Sequence, residues 1–593
     1  MRRVISAAVL LLLCPVAMAQ HFHHAAPTDS AVSPCKKLFD PLDPATDLKA
    51  GLQAVPWEVV GTPNAKAFFN QGMTLYYGFN YEEALRNFRA AIVANNGEMA
   101  MASWGIALAA GPNINLGMDD PCRDLAQKES ANAVRLAKPP AVTELQRQVI
   151  NALPLRYANP ADPIAEAVAY AVAMREVWKN AKNEPNVGAL YAESLVELRP
   201  WALYDDCNRA AINTQEIRGV LQAAMTSTDS IGAHHYWIHT VEASDSPDDA
   251  LDSANRLRTW APLAGHLRHM PSHIYFLRGD YKQAVESNVE ASDADWAQYS
   301  RVCKGEFEEY SENKKCPQLY FGHYLCHNFF FRAVSLEFLG QHGDALRQAG
   351  YSSGHAARFV ANEPGLQRYM AARFMALVMD RAWNQIFVEP VPDICGKSPV
   401  KETGCHIIRS IRHWARGMAQ ASKAPRPDFV EANAEYVAMA SDMGDIVKAG
   451  PTSWGNNTAL AVLAIPRSIL KARILWAEGR EAEAIEHLKL AVTHEDALVY
   501  DEPPQWFPPA REALGGAFLQ LDCVWASATF EEELTHHKES GRALYGLKRV
   551  FDKAGKPNPN VDARFGEAWK HADYTLTDDA LWPPAKSGGT CPP

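Results

Sequence analysis

This chain of 593 residues has almost nothing that reads as strand. Alternation of β-branched with polar residues between turn signals is missing, which excludes sandwiches, barrels and sheet-centred folds. After the first twenty residues no apolar run reaches membrane-spanning length, so no spanning helix is expected. There is no phosphate-binding loop, no glycine-rich dinucleotide turn and no CxxCH, which removes nucleotide folds of those types and covalently attached haem. Positive charge is scarce as well: 58 Lys and Arg face 69 Asp and Glu, for a formal net charge of −11. A surface of that sign repels a phosphate backbone, and no nucleic-acid partner is expected.

What is present begins with an export signal. Arg2 and Arg3 precede an apolar run from Val9 to Leu13, and Ala17-Met18-Ala19 offers a small-residue cleavage site ahead of Gln20. Residues 1–19 read as a signal peptide, which places the mature protein in the periplasm or outside the cell. Loss of the two arginines takes the charge from −11 to −13. Of the 11 cysteines one, Cys14, lies in that segment. The remaining even number suits a compartment where disulfides persist. Cys303 with Cys316, and Cys395 with Cys405, bracket short polar loops and are predicted to pair, while the other six cannot be paired from sequence. Cys326 beside His327 reads as a buried helix thiol more readily than as a ligand.

A small-residue rhythm recurs along the chain. Ala84, Phe88 and Ala91 in YEEALRNFRAAI share their spacing with Ala284, Asn288 and Ala291 in YKQAVESNVEA, and with Ala484, Leu488 and Ala491 in EAEAIEHLKLA. Each run follows a helix and a short turn: GFNYEEA, LRGDYKQA, WAEGREAEA. These units resemble tetratricopeptide repeats, with Gly72 as the small residue of the first helix and Phe88 as the aromatic of the second. Helix pairs are predicted near 65–92, 98–137, 143–181, 185–226, 231–259, 264–296, 318–351, 363–388, 406–444, 458–492, 508–535 and 541–571. The fold class is therefore all-α: about a dozen pairs stacked into one continuous superhelix over residues 61–574. An aperiodic arm (20–60) precedes it, and a Pro/Gly tail (575–593) follows.

Eight of the 20 histidines fall between His234 and His327. HHYWIHTVE supplies His235, His239 and Glu242; HLRHMPSH supplies His266, His269 and His273; HYLCHN adds His323 and His327. Spacings of three and four place such side chains on one helix face. Imidazole beside carboxylate is a usual ligand set for zinc, copper or iron, and a polar stripe of this kind is costly to bury without a partner. The His235-x3-His239 spacing matches zinc-peptidase helices, yet Tyr236 stands where a general-base glutamate is required, so that mechanism is unsupported.

In the tetratricopeptide pattern, positions two, five, nine and twelve of the first helix line the concave groove. That register makes His235 fifth, His239 ninth and Glu242 twelfth in one repeat, and His266 second, His269 fifth and His273 ninth in the next. His327 becomes second in the repeat after, and Glu193 ninth in the one before. Adjacent inner helices pack roughly 8–10 Å apart, so side chains from two of them can meet around one ion or an ion pair. His235, His239, Glu242, His269 and His273 are the expected metal ligands, with His266, Glu193 and His327 as second-shell or additional ones. Pro271 is expected to kink or restart its helix. GPNIN (Gly111 to Asn115) reads as a turn, LRPW (Leu198 to Trp201) as a helix end, and DEPPQWFPPAR as a rigid connector that could wall the groove.

The chain further resembles an exported bacterial family of tetratricopeptide-repeat proteins of unassigned function. FNYEEALRNFRAAI with WGIALAAGPNIN, ALYAESLVELRPW, HHYWIHTVEAS, HLRHMPSHIYFLRGDY, HNFFFRA and DEPPQWFPPAREALG carry the likeness over roughly residues 65 to 550. HxxHMPSH and DEPPxW are its specific motifs; Tyr81 stands where the family pattern has histidine. The resemblance implies the repeat fold and no catalytic residue. The leading reading is an exported repeat protein whose concave groove carries a His/Glu site for a divalent transition metal and receives a peptide or small organic ligand. Two alternatives stand beside it: a metal-dependent hydrolase or oxidase using that site, and a metal-free protein-interaction scaffold.

Overall fold

The computed structural model describes residues 33–36, 41–52, 55, 57–205, 209–227, 230–302, 318–360, 364–390, 400–423, 426–586 and 591. Residues 1–19, Cys303 with Cys316, and Cys395 lie outside them. The architecture is an all-α superhelix of paired helices, from Pro63–Tyr77 with Tyr81–Ala94 to Gly541–Lys553 with Pro559–Ala568. Among the described residues the one ladder is Ser453–Trp454 against Asn457–Thr458, two residues long on each side. No helix among them is long and apolar enough to cross a membrane.

Local chemistry sets the helix ends. Thr62 caps Pro63–Tyr77 by accepting the Ala65 amide, and Asn80 caps Tyr81–Ala94 by accepting that of Glu83. Thr143 with Gln146 forms a reciprocal capping box at Glu144–Ala152. Within a pair, the turn places one residue in the left-handed region. Gly279, Gly340 and Gly479 take that position at φ of 82°, 70° and 79°, but in the first repeat it falls to Phe79 at 56°.

Packing between pairs follows the small-residue rhythm. Ala84, Ala284 and Ala484 are all fully buried. The Phe88 ring is wedged between two glycines of flanking helices: a Cβ on Gly72 would lie 2.6 Å from it and one on Gly105 2.8 Å. Phe530 repeats the device near the other end, between Gly515 and Gly546, at 2.7 and 2.3 Å. Gly therefore sets how closely consecutive helices approach.

The superhelix curls far enough for its first repeat to meet its fifth. A Cβ on Gly232 would come within 2.5 Å of the Tyr77 ring. His235 Nδ1 lies 2.6 Å from the Tyr77 carbonyl, 158 residues away, and the Tyr76 hydroxyl donates to Glu193 Oε1 at 2.5 Å. The concave groove is thus partly roofed by its own beginning.

The flanking segments pack onto the array. Trp57 and Val59 of the arm are buried, and Cys35 is bonded to Cys122 with Cα atoms 5.0 Å apart. The tail residues Leu581 and Trp582 are buried, Gln520 donates to the Trp582 carbonyl, and Cys523 is bonded to Cys591. Both disulfides use cysteines that spacing left unassigned, because their partners are 87 and 68 residues apart. Cys405 is also disulfide-bonded, and Cys326 is a buried free thiol.

Phe88→Ala empties the wedge between Gly72 and Gly105 and is expected to destabilise the array by about 3–5 kcal/mol, as for other large-to-small core changes. Urea unfolding followed by circular dichroism measures it. An unchanged midpoint would show that the glycine-lined wedge does not hold these helices together.

Candidate functional site

The inner helices carry the histidines to one place. Ile231–Val241 presents His235 and His239, and its C-cap is Glu242. The HLRHMPSH stretch breaks into two short helices, Gly265–His269 and Pro271–Leu277. Pro271 has no amide proton, and at the start of the second helix none is needed. The next inner helix, Cys326–Phe338, follows a π-helical turn over Phe321–Leu325, which brings Tyr324 beside His266 at 4.7 Å between ring centroids.

Three sets here each bring their potential ligand atoms within 4.8 Å of one another: His235, His239 and His266; His269, His273 and His327; and His239, Glu242 and His273; a fourth, His406, Asp442 and Asp445, lies elsewhere in the array. All the expected site residues except Glu193 are in these sets. His266 and His327, expected either behind the ligands or as additional ones, stand as close as the others. Glu193 is buried in a separate group, hydrogen-bonded to Tyr76; burial raises its pKa, against the pull of Arg156 and its tyrosine partners. Cys326 belongs to none of the sets.

The hydrogen bonds fix which nitrogen of each ring is bare. His235 Nδ1 faces a carbonyl, so it must donate. His269 Nδ1 lies 2.7 Å from Asn288 Oδ1, and the amide is locked in that sense because Nδ2 donates to the Ala284 carbonyl. His239 and His273 reach one carboxylate through Nδ1, at 2.8 Å to Glu242 Oε1 and 2.6 Å to Oε2. Burial works against the charge on Glu242, yet the two histidines overcome it and hold the pKa at about 2. Burial also pushes His235, His266, His269 and His327 well below the usual imidazole range, and His273 below it. These rings are neutral at pH 7, and in His235, His269 and His273 the nitrogen left bare is Nε2.

The inward nitrogens lack protein partners of the right kind. Nε2 of His235 and of His239, and both nitrogens of His266, have no hydrogen bond. His269 Nε2 lies 2.8 Å from His273 Nε2 and 3.0 Å from His327 Nε2. With both Nδ1 atoms protonated, the first contact sets lone pair against lone pair. Two nitrogens bound to one ion at ~2.0–2.1 Å each sit ~3 Å apart, close to this spacing. Both Glu242 oxygens accept from imidazoles, the arrangement of a carboxylate behind metal-bound histidine, and with His239 and His273 it also makes one of the three sets that could hold an ion.

A cavity of about 350 Å³ opens beside the histidines, with His239, His266, His273 and His327 on its wall. Asn113 and Asn115 of GPNIN, Trp201 of LRPW and Asp501 and Glu502 of DEPP also line it. Each of these motifs has a sufficient local explanation as a turn or connector, so their sharing of one wall was not readable locally. Burial raises Asp501 to about 6 despite Arg368 and two amide donors, and burial with the nearby Glu242 charge raises Glu502 well above the carboxylate range. Phe79 was missed altogether. Its ring lies 4.6 Å from that of His235, 4.9 Å from His266 and 5.8 Å from His239. The one available signal is phenylalanine at the turn position that Gly279, Gly340 and Gly479 fill in three other repeats.

No family model and no curated protein matches the chain. Solved structures to which it is similar include a monomeric IFIT1 mutant with Gppp-AAAA and a human IFIT1 dimer with m7Gppp-AAAA. Identity is 10% in both, TM-scores are 0.27 and 0.25, and the alignments cover 90% and 91% of this chain and 98% and 99% of theirs. Scores of that size leave the fold to rest on the helix pairs themselves, and the capped oligonucleotides are ligands of those proteins.

The hydrogen-bond pattern predicts the Nδ1–H tautomer for His235, His269 and His273 in metal-free protein at pH 7. Nitrogen-15 spectra of histidine-labelled protein, assigned by single substitutions, read it directly. Nε2–H signals from His269 and His273 would remove the lone-pair argument.

Proposed function

We propose that this is a metal-binding helical-repeat protein of an oxidising, exported setting, whose histidine chamber holds a transition-metal centre open to a small organic ligand. The observation that carries the reading is the meeting of His269 and His273 through Nε2 while their Nδ1 protons are committed to Asn288 and Glu242. A shared cation relieves that arrangement. An all-imidazole set suits zinc, copper or iron. His269, His273 and His327 form the core of the centre. His235, His239 and His266 form a second triad, linked to the first because Glu242 holds one ring of each.

A cavity near 350 Å³ is of the size that small-molecule sites have, and it favours a compact ligand over a peptide. Asp501 and Glu502 on its wall favour the metal-dependent enzyme as a second reading, since carboxyls with raised pKa values can carry a proton to or from a ligand at neutral pH. The metal-free scaffold draws no support from the burial of His235 and His269, both fully inaccessible to a docking peptide. Export is supported by the signal-like leader and by the Cys35–Cys122 and Cys523–Cys591 bridges.

Protein loaded with zinc or copper and then dialysed is expected to retain at least one equivalent by elemental analysis. His269→Ala and His273→Ala lose it, whereas His487→Ala, outside the chamber, retains it. Glu242→Gln is expected to weaken affinity ~10–100-fold, the usual effect of removing a partner behind the ligands. Equal metal content in all four variants, or none in the parent, would sink the proposal. The pH dependence has a definite sign. The folded histidines have pKa values depressed below the unfolded value, so their contribution is present above about 6.5 and is lost as the pH falls below it. Metal content should fall over that same acid range.

A further inference from the structure

A second cavity, of about 100 Å³, lies far along the chain from the histidine motifs. The helices Val400–Ala421, Ala459–Ala477 and Ala510–Gln520 meet there with the turn at Arg381 and the segment from Asp579 to Pro583. Three guanidinium groups and two carboxylates line it: Arg381, Arg473 and Arg542 against Glu512 and Asp579. Two pairs are made, Arg542 with Glu512 at 2.7 Å and Arg381 with Asp579 at 2.7 Å. One positive charge is left over, and it belongs to Arg473.

Arg473 is 9% exposed and forms no ion pair among the described residues; Asp579, already paired with Arg381, is the one carboxylate that attracts it from further off. Its Nε and Nη2 donate to the Ser422 hydroxyl at 3.2 and 2.9 Å, and that hydroxyl gives its own proton to the Met418 carbonyl. Nη1 has no partner. Two further donors of lining residues are buried without acceptors, the indole N–H groups of Trp414 and Trp582. The Trp582 ring lies 5.6 Å from the guanidinium carbon, which softens the burial of the charge without supplying an acceptor. Burial, with the repulsion of Arg381 behind it, pulls the Arg473 pKa down to about 9. A buried, uncompensated charge is a large cost that native structures ordinarily remove with a counter-ion.

The geometry points to a binding site for a small organic monocarboxylate, its carboxylate on Arg473 Nη1 and its apolar body against Trp414, Trp582 and Met418. The surplus of one charge selects a monoanion over a phosphate dianion. The indole walls select a flat or aliphatic body over a fully hydrated ion. The site shares no residue with the histidine chamber, so either can fail alone.

Sodium benzoate, neutral benzamide and inorganic phosphate serve as probes, with calorimetry and tryptophan fluorescence on the full chain. Benzoate is expected to bind, benzamide and phosphate to bind at least about tenfold more weakly, and Arg473→Met to weaken benzoate on the order of tenfold or more, the value of a charged hydrogen bond. Arg473→Met should fold: methionine fills much of the stem's volume and removes the stranded charge, so its thermal midpoint in anion-free buffer is expected to equal or exceed the parent's. His269→Ala should bind benzoate as the parent does. Absence of benzoate binding, equal binding by Arg473→Met, equal binding of benzamide, or tighter binding of phosphate than of benzoate would each overturn the assignment.

Discussion

The contact between Tyr77 and the helix Ile231–Val241 is the constraint on which the chamber depends. Gly232 lets the two backbones approach until the tyrosine ring covers it, and His235 then reaches the Tyr77 carbonyl. Without that approach the groove would be open to water, and its imidazoles would be ordinary hydrated side chains. With it, His235 is fully buried, Phe79 lies over three histidine rings, and the Nδ1 protons are assigned. A short-range packing allowance at one glycine thereby sets the electrostatics of a whole interior.

Glu242 has a comparable role within the chamber. One carboxylate accepts from His239 and His273, so two rings on different helices are oriented by the same anion. Such a bridge couples the two histidine triads: tilting either ring alters the hydrogen bond that steadies the other. Its carboxylate stays ionised although buried, because the imidazole donors stabilise the charged form more than desolvation penalises it.

The repeat architecture was legible because it is periodic. Ala84, Ala284 and Ala484 recur at one spacing and are all fully buried, and the same register placed the histidine runs on the inner face. What periodicity does not encode is how far the superhelix curls. The meeting of the first and fifth repeats, the sharing of one wall by Asn113, Trp201 and Glu502, and the Cys35–Cys122 bridge all join residues far apart in sequence. DEPP reads as a rigid connector that could wall the groove, and it lines the cavity, but nothing local shows that its two acids share that wall with Asn113 and Trp201. The segment after 575 reads as a tail because prolines and glycines hide the anchoring by Leu581, Trp582 and Cys591. Spacing alone offers Glu242 as a ligand; that its two oxygens accept from His239 and His273 depends on how the helices are placed.

The cavity wall is drawn from residues as distant as Pro34 and Glu502, in a fold whose stability accrues between neighbouring repeats. Helices can form and stack as soon as two or three pairs exist, long before the last loop of that wall has arrived. The complete cavity wall therefore requires far more of the chain than any single helix pair does. Helicity and site completeness are separable quantities here, and a shortened array could look well folded while having no chamber to fill.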